Sequence, residues 1–494
     1  MRMTNAQMYA RLLAGDATYN GRFFTGVLTT GIYCLPACKA RKPKPQHVRF
    51  FPTYEAARAA GLRACKKCHP DDFAREADPV LESIETLVAE LRGNPAGFAD
   101  AQAVVRRSGF GATRVFELFR QHYHTTPADL LLRARLEVAK RKLLTSHATL
   151  AEIAYEAGFE ALSSFHENFR RLTGLTPAGY RELRTAKLFE IRLPEDFSLP
   201  YLRRALSRDQ ESLTERLTGN VYQCAVQLGA GPAILRLELS PQTIRAEVTA
   251  DIASGTRSMA PSNPLPHGEQ PPLAVAAHAL VVGLLGLDQD AAAFVRLVRR
   301  LGLTRLVAGR PGLRTCQTPS VFDGLLWSII GQQINFSFAC VLRRRLIERV
   351  STRLADGLYA PPTPAAVAVL GPRDLPSLQF SRQKADYVIS TARLIASGKL
   401  DLAELRAMSA TRAERTLLAI RGLGPWSVNY LMMRSLGFGD CVPLGDTGVT
   451  SGLQTLLDLE KRPDLDSTRR LMAAFSPCRS LATTHLWQFN QPLP

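Results

Sequence analysis

The stretch Ile420-Arg-Gly422-Leu423-Gly424-Pro-Trp426-Ser-Val-Asn429-Tyr430 reads as a tight Gly-X-Gly hairpin running straight into a helix. Unpaired backbone amides at such a helix N-terminus can hold a DNA phosphate. A lone Gly-X-Gly says little. Here Val442-Pro-Leu-Gly-Asp446-Thr-Gly-Val449 follows and supplies a carboxylate, while Leu326-Trp-Ser-Ile-Ile-Gly331-Gln332-Gln333-Ile334 precedes it. Amphipathic helical patterns dominate this whole region, from Leu273 to the end of the chain.

Working back toward the N-terminus, the texture changes. Ser258–Pro272 is rich in proline and reads as a loop or insertion. Leu188–Leu193, Val221–Leu228, Ile234–Leu239 and Ile244–Val248 cluster or alternate apolar residues as strands do. Residues 79–185 are helical in two similar halves. Residues 1–78 are rich in Cys, Pro and Lys, with strand-like runs at Gly26–Ile32 and His47–Phe51. The expected architecture is multidomain α+β, divided at 1–78, 79–185, 186–290 and 291–494.

The 494 residues carry a net charge of +18. Residues 1–185 hold 27 Lys+Arg and 18 Asp+Glu, leaving 35 and 26 for the rest, so each half is +9. Two independently basic halves point to a polyanionic partner, with nucleic acid foremost. Of nine cysteines, Cys224, Cys316, Cys340, Cys441 and Cys478 lie singly, which argues against a disulfide framework and for a reducing compartment. Arg11, Asp16 and Arg22 interrupt any apolar signal core, and Leu273–Leu287 is too short to span a bilayer. A cytoplasmic, nucleoid-associated protein with no membrane partner is expected.

The other four cysteines form two close pairs, Cys34-Leu-Pro-Ala-Cys38 and Cys65-Lys-Lys-Cys68. That spacing suits the tetrahedral four-sulfur site preferred by one Zn²⁺. From Met1 to Phe50 eight Lys+Arg face one acid, Asp16, so the thiolates sit in a phosphate-seeking field. A purely structural zinc site is the plain alternative. Residues 16–71 resemble the methyl-acceptor domain of the Ada family through Gly21-Arg-Phe-Phe, Thr29-Thr-Gly-Ile-Tyr-Cys34-Leu-Pro-Ala-Cys38-Lys-Ala-Arg41 and Ala60-Gly-Leu-Arg-Ala-Cys65-Lys-Lys-Cys68-His-Pro-Asp71. The resemblance implies that Cys34 accepts a methyl group from a DNA methylphosphotriester, with Cys38, Cys65 and Cys68 as the other zinc ligands. Leu35 departs from the arginine frequent in that family.

In the helical pair, Ser108-Gly-Phe-Gly-Ala-Thr-Arg114 is followed by Phe116, Phe119 and Thr126-Pro127. Ile153-Ala-Tyr-Glu-Ala-Gly158-Phe159 is followed by Ser163, Phe165, Phe169, Gly174 and Thr176-Pro177. Each is a helix-turn-helix whose second helix can enter a major groove. Together they resemble the AraC-type DNA-binding domain, an all-α double helix-turn-helix. Thr113, Arg114, Glu117, Ser163, Ser164, His166 and Glu167 are the candidate readers, and the four phenylalanines are expected in the core.

From about Leu188 to Trp487 the chain resembles a helix-hairpin-helix DNA glycosylase of the AlkA type, with an α+β N-terminal domain and an all-α catalytic domain. The resemblance implies that Asp446 is the catalytic carboxylate and that Trp426, Tyr430 and Trp487 form the base pocket. It implies DNA contacts at Gly422 and Gly424, and a wedge at Gln333 or Ile334. Asp446 also reads as an ordinary helix N-cap, and the tryptophans as plain core. Trp426 stands where lyase-competent relatives carry a lysine, so a monofunctional enzyme is expected. Pro477-Cys478-Arg479 lacks the histidine of the Ada family's other acceptor motif, so O6-alkylguanine repair is not.

The combined expectation is a fusion: a methylation-triggered transcriptional activator joined to an enzyme that hydrolyses the glycosidic bond of alkylated bases such as 3-methyladenine. Its partners are double-stranded DNA at lesions and promoters and, when activating, RNA polymerase. A monomer is expected. Two rival expectations are a regulator with an inactive glycosylase platform, and a glycosylase with a merely structural zinc and tethering half.

Overall fold

Cys34 ends a short strand in the N-terminal unit of the computed structural model, which describes residues 3–16, 19–74, 78–229, 231–250 and 271–492. The chain divides into two compact units, Met1–Val88 and Ala89–Pro494. The first holds α1 (Asn5–Ala14), β1 (Phe24–Val27), β2 (Ile32–Cys34), β3 (Val48–Phe51), α2 (Tyr54–Ala59), β4 (Arg63–Ala64) and α3 (Pro70–Ala74). Their sheet runs β3-β1-β2-β4, with Thr25 paired to Cys34 in the β1–β2 hairpin. The strand expected at Gly26–Ile32 is therefore two strands: Gly31, at φ 61, lets the chain reverse between them. Phe24, Tyr33, Leu35 and Phe51 form a small core.

Helix α4 (Pro79–Gly93) leads into the second unit, where α5 (Ala101–Ser108) and α6 (Ala112–Tyr123) form one helix-turn-helix. α7 (Pro127–Thr145) links it to the other, built from α8 (Leu150–Glu156) and α9 (Leu162–Thr173) and closed by α10 (Pro177–Glu182). The repeated Thr-Pro has a local cause. Thr126 and Thr176 each accept a backbone N–H of the first helical turn, and the following proline fills a position that needs no N–H. Phe119, Phe165 and Phe169 are fully enclosed, each worth roughly 1.5–3 kcal/mol of burial. Phe116 is only half-buried, because the helix turns it toward the edge of the bundle.

Next come β5 (Leu188–Arg192), α11 (Leu199–Leu206), β6 (Glu215–Thr218), β7 (Val221–Leu228), β8 (Gly231–Leu239) and β9 (Thr243–Ala250). They form an antiparallel sheet in the order β5-β9-β8-β7-β6. The alternating apolar residues face α12 (Leu273–Leu285) and the second helix-turn-helix, all in one core. Phe169, Tyr180, His278 and Phe189 meet edge to face in sequence across it, with ring centroids 5.3–5.7 Å apart. The loop expected over 258–272 lies outside the described residues up to position 270.

The remainder is helical: α13 (Ala291–Arg300), α14 (Val321–Ile330), α15 (Phe336–Val350), α16 (Pro364–Ala368), α17 (Arg382–Ala396), α18 (Leu402–Ala407), α19 (Ala410–Leu418), α20 (Pro425–Arg434), α21 (Thr447–Leu456), α22 (Leu465–Ala473) and α23 (Arg479–Phe489). Two apolar cores divide it, and Trp487 packs against both. Among the described residues no helix is long and apolar enough to cross a membrane.

Candidate active site and metal centre

The hairpin between α19 and α20 is held from three sides. Gly422 takes φ 95, and a Cβ there would come within 2.3 Å of the Tyr387 ring, so only glycine fits. Gln332 Nε2 donates to Gly422 O at 2.8 Å and to Ser427 Oγ at 3.1 Å. Lys384 Nζ donates to the carbonyls of Ile330 and Gln332, and burial lowers its pKa. Gly424 caps α20, leaving the first amides of that helix with no side-chain acceptor from the cap. The hairpin is thus tied to α14 and α17 through Gln332, Lys384 and Tyr387.

α20 carries Trp426 and Tyr430 one turn apart, stacked at 5.3 Å with an interplanar angle of 15°. Tyr430 meets Trp487 of α23 at 6.1 Å. Asp446 joins them: Trp426 Nε1 donates to its Oδ2 at 3.1 Å and Trp487 Nε1 to its Oδ1 at 2.9 Å. Val449 N donates to Oδ1 at 3.0 Å, so Asp446 also caps α21. Cap and site carboxylate are one residue. The two indoles fix the carboxylate plane beside an aromatic wall, an arrangement able to face a positive charge developing on a sugar. All four side chains are half-buried.

Gln333 follows α14 with φ 56 and is exposed, whereas Ile334 packs partly into the core. Thr113, Arg114 and Glu117 on α6 are exposed, as are Ser163, Ser164 and Glu167 on α9. His166 is half-buried, its ring edge-on to Phe165 at 5.6 Å. Asn429, Lys384 and Gln332 were missed as supporting residues. Asn429 was in view, between Trp426 and Tyr430, but its role needs the fold: its Oδ1 accepts from Val442 N at 3.2 Å, on the way to Asp446.

In the N-terminal unit the Sγ atoms of Cys34, Cys38, Cys65 and Cys68 all lie within 4.8 Å of one another. Cys34, Cys38 and Cys65 are buried and Cys68 is the most open. Leu35 N and Lys67 N each donate to a sulfur, of Cys68 and Cys65, at 3.4 Å. The crowding is unfavourable for bare thiols: a hydrogen bond to Cys68 and burial push the Cys34 thiol up, burial raises Cys38 to about 11, and the Cys34 bond draws Cys68 down to about 6. Four sulfurs forced together in this way fit one Zn²⁺, which makes their negative charges mutually tolerable. Leu35 points into the small core, away from any phosphate role.

Three family models match: the metal binding domain of Ada over residues 7–71, a helix-turn-helix domain over 104–183, and the HhH-GPD superfamily of base excision DNA repair proteins over 326–478. A DNA-3-methyladenine glycosylase of Bacillus subtilis is 32% identical over 206 residues, covering 41% of this chain and 68% of that protein. The chain belongs to the DNA-3-methyladenine glycosylase family. To that glycosylase it joins an Ada-type zinc domain and a helix-turn-helix domain. The same fusion extends along a probable bifunctional transcriptional activator/DNA repair enzyme AlkA of Mycobacterium tuberculosis, 27% identical over 97% of this chain and 95% of the relative. A 3-methyladenine DNA-glycosylase from Archaeoglobus fulgidus shares the fold of the C-terminal part, with a TM-score of 0.52 at 20% identity over 61% of this glycosylase and 98% of that structure.

Proposed function

We propose that this glycosylase releases alkylated bases such as 3-methyladenine by hydrolysis, with Asp446 as the catalytic carboxylate. The observation that carries this reading is the pair of indole N–H bonds from Trp426 and Trp487 to the two oxygens of Asp446. A base alkylated on a ring nitrogen is already cationic. Its C1′–N bond breaks with the electron pair leaving on the base, and the positive charge passes to the sugar, where Asp446 faces it. Water then adds at C1′ and gives up its proton. Flipping the base from the duplex brings it to the Trp426–Tyr430–Trp487 wall, which favours a cationic ring. The amides of Gly422 and Gly424 hold the backbone phosphate, and Gln333 fills the gap in the duplex. No lysine stands at the Trp426 position, so strand cleavage is not part of the reaction. Asp446→Asn should retain duplex binding and lose base release; unchanged release would reduce this half to a DNA platform.

The zinc domain adds a second, stoichiometric transfer. Zinc held by Cys34, Cys38, Cys65 and Cys68 would keep the sulfurs as thiolates. Cys34 Sγ forms a bond to the methyl carbon as the methyl–oxygen bond of a methylphosphotriester breaks, and an ordinary phosphodiester anion leaves. One negative charge at the cluster is thereby lost, which eases approach to DNA and makes methylation the trigger for promoter binding by Arg114, Ser163, Ser164 and His166. RNA polymerase is the partner at the promoter, and a cytoplasmic monomer on the nucleoid is sufficient for both tasks. Peptide mass spectrometry after exposure to methylphosphotriester DNA tests the assignment: one methyl on Cys34 is expected. A methyl on Cys68, the more open thiol, would overturn it.

A further inference from the structure

We infer that the glycosylase site is completed from the helix-turn-helix half: His124, at the end of α6, is a positioning residue for the loop that carries Asp446. The inference rests on the base-release reading above.

The internal repeat makes His124 conspicuous. Thr126-Pro127 corresponds to Thr176-Pro177, which places His124 where the second half has Gly174. Both residues cap their helices in the left-handed region, His124 at φ 54 and Gly174 at φ 70. Residues other than glycine seldom adopt that conformation. In the second half the chain uses glycine, and a Cβ there would strike Ile191. In the first half it keeps a bulky ring in the same unfavourable backbone, and the ring is turned into the glycosylase. It lies edge-on to Phe438 at 5.6 Å, and its Nδ1 accepts from Asp440 N at 3.2 Å. A backbone N–H only donates, so this nitrogen carries no proton. Burial lowers the His124 pKa to about 4, which keeps the ring neutral despite the pull of Asp440.

What His124 grips is the root of the Asp446 loop. The Asp440 carboxylate accepts from Arg479 Nε at 2.7 Å, Arg479 Nη2 at 2.9 Å, Arg479 N at 3.1 Å and Ser476 Oγ at 2.8 Å. Beyond it, Cys441 N donates to Ser480 Oγ at 3.0 Å and Val442 N to Asn429 Oδ1 at 3.2 Å. Successive amides of residues 440–442 are thus tied to α6, α23 and α20, and the chain then turns through Gly445, at φ 86, into Asp446. The same end of α6 makes a second tie, from His122 Nδ1 to Thr411 Oγ1 at 2.8 Å. Thr411 lies on α19, the helix that leads into the hairpin. One helix end therefore braces both arms of the site.

His124 touches no reacting atom, so its effect should fall on the chemical step and spare DNA binding. His124→Gly suits the test, because the repeat shows that this backbone accepts glycine. His124→Asn keeps an acceptor near the Nδ1 position in a residue tolerant of the left-handed region. Single-turnover base release from a duplex containing 3-methyladenine is measured with the full-length chain. In H124G the rate should fall about tenfold, as small misplacements at active sites do, with the half-saturating DNA concentration within about twofold. H124N should recover most of the loss. Amide exchange at Asp440 should quicken in H124G and return toward the original in H124N. An H124G protein with an unchanged rate would overturn the inference and leave the contact as packing. Equal losses in H124G and H124N would also overturn it, because ring bulk and not the hydrogen bond would then matter. No release by the unsubstituted chain would sink the base-release reading itself.

Discussion

Gln332 reaches from the end of α14 to the hairpin before α20, where its Nε2 sits 2.8 Å from the carbonyl oxygen of Gly422. The contact explains why a glutamine and a glycine far apart in sequence belong to one motif. The Gly422 carbonyl is satisfied by this bond, and Leu423 N closes the turn onto Ile420 O at 3.1 Å.

Gln332→Leu keeps the side-chain volume and removes the donor. The Gly422 carbonyl then loses its partner, at a cost of about 1 kcal/mol. With the hairpin holding the backbone as proposed, affinity for any duplex, damaged or not, should weaken by about fivefold. Fluorescence anisotropy with intact and abasic duplexes checks this. A loss confined to the damaged duplex would place Gln332 at the lesion instead.

The two indoles on Asp446 are separable from the wall they form. Trp487→Phe keeps an aromatic face beside Tyr430 and deletes the N–H on Oδ1, while Trp426→Phe does the same for Oδ2. Each should slow single-turnover base release by about tenfold, with little change in melting temperature. Unaltered rates in both would mean that the indoles only enclose the base.

At Gly422 the demand is steric as well as conformational. Gly422→Ala meets the Tyr387 ring and a φ of 95 that alanine resists. Destabilisation of about 1–3 kcal/mol is expected. Gly422→Ala combined with Tyr387→Ala removes the clash and leaves the φ penalty, so the double variant should regain only part of the loss beyond that of Tyr387→Ala alone.

The half-buried His124 and the enclosed His278 and His485 set the acid limit. Burial lowers His124 and His278 to about 4 and His485 to about 3, from the ordinary 6.5. The unfolded chain takes up these protons as pH falls through 6.5, while the folded chain refuses them until much lower. Their contribution to stability is therefore complete above about 7 and is lost progressively between about 6.5 and 4. Carboxylates act mostly below that window. A melting temperature that stays level from pH 7 to pH 5 would contradict the enclosure of these rings.

The strands of the sheet were legible wherever one face is buried, and Val221–Leu228 is recovered to the residue because its apolar side chains pack into the core shared with α12. Glu215–Thr218 is not legible in the sequence: it is a four-residue edge strand, half-buried and exposed in turn, with Leu217 its single apolar residue. The cysteine pairs were legible because zinc demands particular residue types; Asp446 stands out by its place after the hairpin, and the fold brings Trp426 and Trp487 onto it. Lys384, Asp440 and Arg479 were not, since each looks like an ordinary surface charge until the fold encloses it. In the sequence Arg479 stands out only as part of Pro477-Cys478-Arg479. Its function is to hold Asp440.

The file of rings from Phe169 through Tyr180 and His278 to Phe189 bears on how this protein could be taken apart. Regulator and enzyme meet there in a shared interior, with Gly174 so close to Ile191 that not even a methyl group fits between. A cut after residue 185 would bare greasy surfaces on both fragments, and such fragments would be expected to clump when expressed alone.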